Sequence, residues 1–187
     1  MWIGIGLIIS FVIVLVQPFR YSATVRLLII QRSSLTLDPF NALKAAERIS
    51  DSLSQVVYTS TFFDQVMQTS YPIDRDFSTD DRTRRREWRK MLNTEVVRGT
   101  GLLSVTTYHK NREQARAYAL AIGEVFMRQG PDYVGGGDVQ IRLVDTPLLS
   151  RYPAKPNVFT NLFLGLILGA VAGLLYLGWT TPRHLFL

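Results

Sequence analysis

VFTNLFLGLILGAVAGLLYLGW, residues 158–179, runs for 22 residues without a charged side chain. As a helix it rises about 33 Å, enough to cross a hydrocarbon core of about 30 Å, so it reads as a membrane span. The same depletion recurs at the other end: residues 1–16 and 156–182 carry no charge, and 20 of the 21 Lys/Arg and all 15 Asp/Glu lie between Arg20 and Lys155. The overall 47% apolar and 19% charged content is therefore concentrated at the ends. That pattern excludes an ordinary soluble globule and a disordered chain.

The first apolar stretch, Trp2–Val16, is 15 residues, or about 22 Å of helix. It reaches across only with Gln17, Pro18 and Phe19 placed at the interface. A cleaved signal peptide needs a positive leader and a small-x-small cleavage site. The first positive side chain is Arg20, after the apolar run, and no such triplet follows Val16, so the segment reads as an uncleaved anchor. The expected organisation is a first transmembrane helix at 1–18, an extracytoplasmic domain at 19–146 and a proline-rich lead-in at 147–157. A second transmembrane helix at 158–180 and a short cytoplasmic tail at 181–187 complete it. Tails this short cannot fold, so the middle is the part placed outside the cytoplasmic membrane, with both termini inside. There is no cysteine, which neither opposes nor proves an oxidising compartment.

Within the middle domain, residues 19–31 form a β-rich stretch. Asp38 followed by Pro39 predicts a helix start, with the carboxylate capping and proline where its missing N–H costs nothing. Leu43, Ala46, Ile49, Leu53, Val56, Phe63 and Met67 then recur at helical steps, with a bend expected at 58–61 and a stop at Tyr71-Pro72. Ser78 and Asp81 have the spacing of a capping box for a second helix ending near Leu92. Residues 94–97 and 102–108 read as a hairpin around Arg98-Gly99-Thr100-Gly101. Asn111 caps a third helix, expected to end at Gly130-Pro131. Gly135, Gly136 and Gly137 read as a linker, and residues 139–144 as the last strand. The order β, α, β, β, α, β predicts an α+β domain of ferredoxin-like type, with helices on one face of a four-stranded, mainly antiparallel sheet.

Catalytic groups are sparse. His109 and His184 are the two histidines; a zinc site would lack its usual ligands. No phosphate loop ending in Gly-Lys-Ser/Thr occurs. The acid pairs Asp74/Asp76 and Asp80/Asp81 suit helix ends better than acid–base work. The chain is therefore expected to be no enzyme, with no catalytic residue, cofactor or metal. The charge pattern says more. Arg82, Arg84, Arg85, Arg86, Arg89 and Lys90, against Glu87, give +5 in nine residues, equal to the net charge of the whole middle domain. This is either a solvated helix face or a patch that meets anionic lipid, an anionic glycan or a neighbouring subunit. Nucleic acid is not expected as a partner. In the second span Gly165, Gly169 and Gly173 lie four apart on one helix face, and Gly6 and Ser10 repeat the spacing in the first, which suits close packing of membrane helices.

Residues 139–147, VQIRLVDTP, followed by 153–157, PAKPN, and a glycine-rich span, resemble the final strand and the proline-rich approach to the second membrane helix of the Wzz-type chain-length determinants. These are also called polysaccharide co-polymerases, and are related to the tyrosine-kinase modulators of polysaccharide export. Pro147, Pro153 and Pro156 carry the motif. The strand after the first span, and the helix start Asn111-Arg112-Glu113-Gln114-Ala115 after a β hairpin, match the general pattern. The short stretch between Asp38 and Thr94 resembles short-loop members, and the short tail leaves no room for a fused kinase. The resemblance implies a non-enzymatic homo-oligomeric ring in the cytoplasmic membrane that regulates the chain length or export of a surface polysaccharide, working with a polymerase or a separate tyrosine kinase. The alternative is a structural ring subunit or sensor-like ectodomain of another envelope machine.

Overall fold

A computed structural model describes residues 2–31, 39–135 and 139–180. The Asp38 cap, the linker positions Gly136 and Gly137, and the tail with His184 lie outside the described residues. The chain divides into two compact units, Arg20–Tyr152 and the pair Met1–Phe19 with Pro153–Leu187.

The first unit is an α+β domain. Its elements are β1 (Tyr21–Gln31), α2 (Pro39–Val56), α3 (Ser60–Met67), α4 (Asp81–Met91), β2 (Leu92–Val97), β3 (Leu102–His109), α5 (Arg112–Tyr133) and β4 (Val139–Leu149). The strands form one sheet in the order β2-β3-β1-β4, every pairing antiparallel. The expected "mainly antiparallel" sheet is thus wholly so. On β1, Ala23, Val25, Leu27 and Ile29 are buried in strict alternation. They pair in register with Thr107, Val105 and Leu103 of β3 and with Leu143 and Ile141 of β4. One face is therefore core. Ala119, Ile122, Val125 and Phe126 of α5 and Ala46 and Leu53 of α2 belong to the same buried cluster. Gly123 allows the close approach of α5 to the sheet, since a Cβ there would sit 3.3 Å from Val25 Cγ2. The only buried polar residue of β3, Thr107, donates its hydroxyl to the Ala115 carbonyl at 2.7 Å.

Several boundaries differ from the sequence reading. The bend in the long helix is a full break. Thr59 becomes the N-cap of a new helix, its hydroxyl accepting from Phe62 N at 3.3 Å. That helix ends at Met67, before Tyr71-Pro72, because Thr69 turns its hydroxyl back onto the Val66 carbonyl at 2.7 Å. The cap of α4 is Asp80, two residues after the expected Ser78; its carboxylate accepts from Thr83 N at 2.9 Å. Ser78 is used differently, donating its backbone N–H to Glu87 Oε2 at 3.1 Å. Helix α5 does not stop at Gly130-Pro131 but continues to Tyr133. Proline forfeits one intrahelical bond there, while Tyr133 donates its hydroxyl to Gln65 Oε1 at 2.6 Å and packs its ring on Phe62. Strand β4 continues past Val144 to Leu149, with Pro147 buried inside it. It is an edge strand with register shifts opposite Thr24, Arg26 and Leu27, where proline is tolerated because bulges leave ladder positions open. Pro147 therefore belongs to the sheet, and the proline-rich stretch outside it holds Pro153 and Pro156 alone.

The second unit pairs α1 (Trp2–Val16) with α6 (Val158–Thr180). One helix, over Val158–Tyr176, is long and apolar enough to cross a membrane, whereas the apolar part of α1, Gly6–Val16, is shorter. The pair meets across small residues. A Cβ on Gly6 would lie 2.5 Å from the Gly165 carbonyl oxygen and 2.9 Å from Gly169 Cα. Ser10 is buried and donates its hydroxyl to the Asn161 carbonyl. Gly173 faces Trp2, whose ring packs on Tyr176 at 5.0 Å.

Candidate functional site

The basic residues singled out in the sequence sit on α4, and Trp88 decides where they point. Trp88 is the one buried residue of that helix. Its indole N–H donates to the Val57 carbonyl at 2.8 Å, and its ring meets Phe63 edge-on at 5.2 Å. This pins α4 against the junction of α2 and α3 and sets its rotation. The charge bias suits the helix, with Asp81 in the first turn and Arg89 and Lys90 in the last. The bond from the Thr83 backbone N–H holds the Asp80 carboxyl below the usual carboxylate range.

With the rotation set, the six basic residues part company. Arg84 pairs with Asp81 at 2.6 Å and lies over the Phe63 ring. Lys90 turns toward a different cleft. Arg82, Arg85, Arg86 and Arg89 line one open groove of about 700 Å³ whose other wall is Tyr58, Thr59, Ser60 and Thr61 at the start of α3. Arg89 lies over the Tyr58 ring, 5.8 Å from its centroid, and the Tyr58 hydroxyl is tied to Thr94 Oγ1 at 3.3 Å. The opposite wall was not singled out in the sequence. Its signal was the hydroxyl run Thr59-Ser60-Thr61, which weakens a helix interior but suits a new helix start.

A second cleft, about 450 Å³, collects Arg20, Lys90, Lys110, His109 and Tyr118 with Asp74, Asp76 and Glu87. Several of its polar groups hold the segment before α4. Gln114 accepts from Asp74 N at 2.8 Å and donates to the Pro72 carbonyl at 3.0 Å. The Tyr118 hydroxyl donates to the Asp74 carbonyl, and burial, helped by the Asp74 charge, pushes that phenol well up. Asp74 Oδ1 accepts from Asp76 N at 3.1 Å, and Arg20 donates to the Lys90 carbonyl at 3.3 Å. His109 Nδ1 accepts from Asn111 N at 3.1 Å, which leaves Nε2 as the protonated nitrogen of the neutral ring. Among the described residues no group of three or more His, Cys, Asp or Glu is placed to hold a metal ion.

Burial lowers the His109 pKa from its ordinary 6.5. The unfolded chain therefore takes up this proton first as the pH falls. The resulting stability is present above about pH 6.5 and is lost as the pH drops toward the folded-state value. Thermal unfolding of the wild type should show a midpoint that declines between about pH 7 and pH 5, and His109→Gln should flatten that decline. An unchanged slope in the variant would mean that another group sets it.

The glycine positions and the basic patch thus occupy separate units of the chain: Gly6, Ser10, Gly165, Gly169 and Gly173 belong to the helix pair, and the arginines to the α+β domain. No family model matches the chain, and no curated protein sequence does so either.

Proposed function

We propose that the chain is a non-enzymatic, ring-forming scaffold of the cytoplasmic membrane that sets the length, or aids the export, of a surface polysaccharide. In this reading α1 and α6 form a two-pass hairpin, both termini are cytoplasmic, and the ferredoxin-like domain of residues 20–152 stands outside. The observation that carries the reading is the pairing of α1 with α6 through Gly6, Gly165 and Gly169. Two apolar helices from opposite ends of the sequence pack at backbone distance, which gives the shorter one a partner in the bilayer and tolerates its length. The resemblance carried by residues 139–147 and 153–157 supports the same conclusion.

A polymer-length scaffold acts by geometry, so no single proton transfer carries its activity. Deleting the gene should therefore shift the length distribution or amount of the surface glycan without changing its sugar units. His109→Ala should leave the distribution near that of the wild type, and joint charge reversal of Arg85, Arg86 and Arg89 should shift it. Phosphatase fused at Gly136 and a cytoplasm-active fluorescent protein at Leu187 should both be active. A deletion strain with untouched glycan would overturn polysaccharide control and favour a subunit of another envelope machine. Abolition by His109→Ala alone would overturn the non-enzymatic reading.

A further inference from the structure

Arg82, Arg85, Arg86 and Arg89 are spaced i, i+3, i+4, i+7, so they form one stripe along about 10 Å of helix. All four are exposed. None pairs with a carboxylate: the ion pairs among the described residues are Arg84 with Asp81 and Arg128 with Glu124. Facing them, the N–H groups of Ser60 and Thr61 are the first two of α3 and have no intrahelical acceptor. The groove therefore presents an excess of positive charge, and among the described residues no carboxylate pairs with it.

The length of the stripe restricts the ligand. A lone phosphate or sulfate engages one or two guanidiniums and leaves the rest of the row unmet. Arg82, the Arg85/Arg86 pair and Arg89 follow one another by about one turn, roughly 5.4 Å, close to the advance of one pyranose along a sugar chain. On the opposite wall Thr61 is exposed and offers a hydroxyl that suits a sugar hydroxyl, and Arg89 is steadied in line with the stripe by the Tyr58 ring beneath it. An anionic bilayer fits less well, because the groove is concave and its lining holds no aliphatic side chain to insert.

We propose that this groove binds an acidic polysaccharide strand, its repeating carboxylates paired with the four arginines and its hydroxyls turned to Thr61 at the start of α3. The assignment rests on the polysaccharide reading above and names the substrate class for it.

The test uses the full-length protein in nanodiscs of phosphatidylcholine, titrated calorimetrically with a hexameric oligouronate, with maltohexaose and with inorganic phosphate. The oligouronate should bind saturably, and more weakly as salt rises to about 0.15 M, where exposed charges are screened; maltohexaose should not bind. Arg85→Gln with Arg86→Gln should weaken binding at least about tenfold, as expected for loss of two charge-assisted contacts. Arg112→Gln with Arg116→Gln, which removes the same charge from α5, should leave binding unchanged. Arg85→Lys with Arg86→Lys should bind with intermediate affinity, which keeps the test valid if the glutamine pair folds poorly. Four results would each overturn the site: no saturable binding, equal loss in both glutamine pairs, phosphate binding as tightly as the oligouronate, or capture only by discs containing phosphatidylglycerol. Failure here with a glycan phenotype in the deletion strain removes the groove assignment alone. Binding here without that phenotype removes the polysaccharide-control reading alone.

Discussion

Trp88→Ala is expected to destabilise the α+β domain by about 4 kcal/mol, within the range for truncating a large buried aromatic. The side chain is 1% exposed and fills the space between Phe63, Phe77 and Tyr118. Its removal leaves a cavity and also strips the Val57 carbonyl of its indole donor. That carbonyl lies at the break between α2 and α3, so the loss falls where the basic groove is built. Thermal or denaturant unfolding followed by circular dichroism measures the effect. Trp88→Phe should recover part of it by filling the cavity, but not the hydrogen bond. A loss below about 0.5 kcal/mol, the usual size of a surface change, would mean that α4 is not held by this residue.

Gly6→Leu is expected to part α1 from α6. Even the first carbon of the new side chain would lie 2.5 Å from the Gly165 carbonyl oxygen and 2.9 Å from Gly169 Cα. Both neighbours are helix backbone and cannot swing aside as a side chain can. The helices must separate by more than a side-chain radius, at a cost of about 1–3 kcal/mol or more. Gly169→Leu, from the opposite helix, should act the same way. The chain has no cysteine of its own, so cysteines placed at Ser10 and Asn161, which touch through a hydrogen bond, report proximity cleanly by oxidative crosslinking. Crosslinking should be near complete in the parent and reduced to a trace with Gly6→Leu. An equal yield in both would show that the glycine contact does not hold the pair.

Much of the fold was legible because its signals are local. Alternation along β1 marks one buried face, Asn111 accepts from Glu113 N at 2.8 Å as an N-cap should, and α2 begins at Pro39. The β2–β3 hairpin was announced by Gly99 and Gly101, which take φ of 72° and 65°, where other residues are strained. Boundaries went astray where a distant contact outweighed a local preference. Tyr133 carries α5 beyond Pro131 by reaching Gln65, and the bulges of an edge strand take Pro147 into β4.

For the candidate site the division is sharper. Composition alone determined that the positive charge is concentrated in residues 82–90, that the ends are apolar and that small residues recur at four-residue spacing in both terminal helices, because charge, hydropathy and helical spacing are properties of neighbours in the chain. Only the tertiary structure decided that four arginines share a groove with Thr59, Ser60 and Thr61 while Arg84 is paired with Asp81 over the Phe63 ring and Lys90 lines a different cleft. The physical reason is that the rotation of α4 about its axis is set by one buried ring and one hydrogen bond to a residue 31 positions away, Trp88 to Val57, and a contact of that range leaves no periodic trace in the sequence.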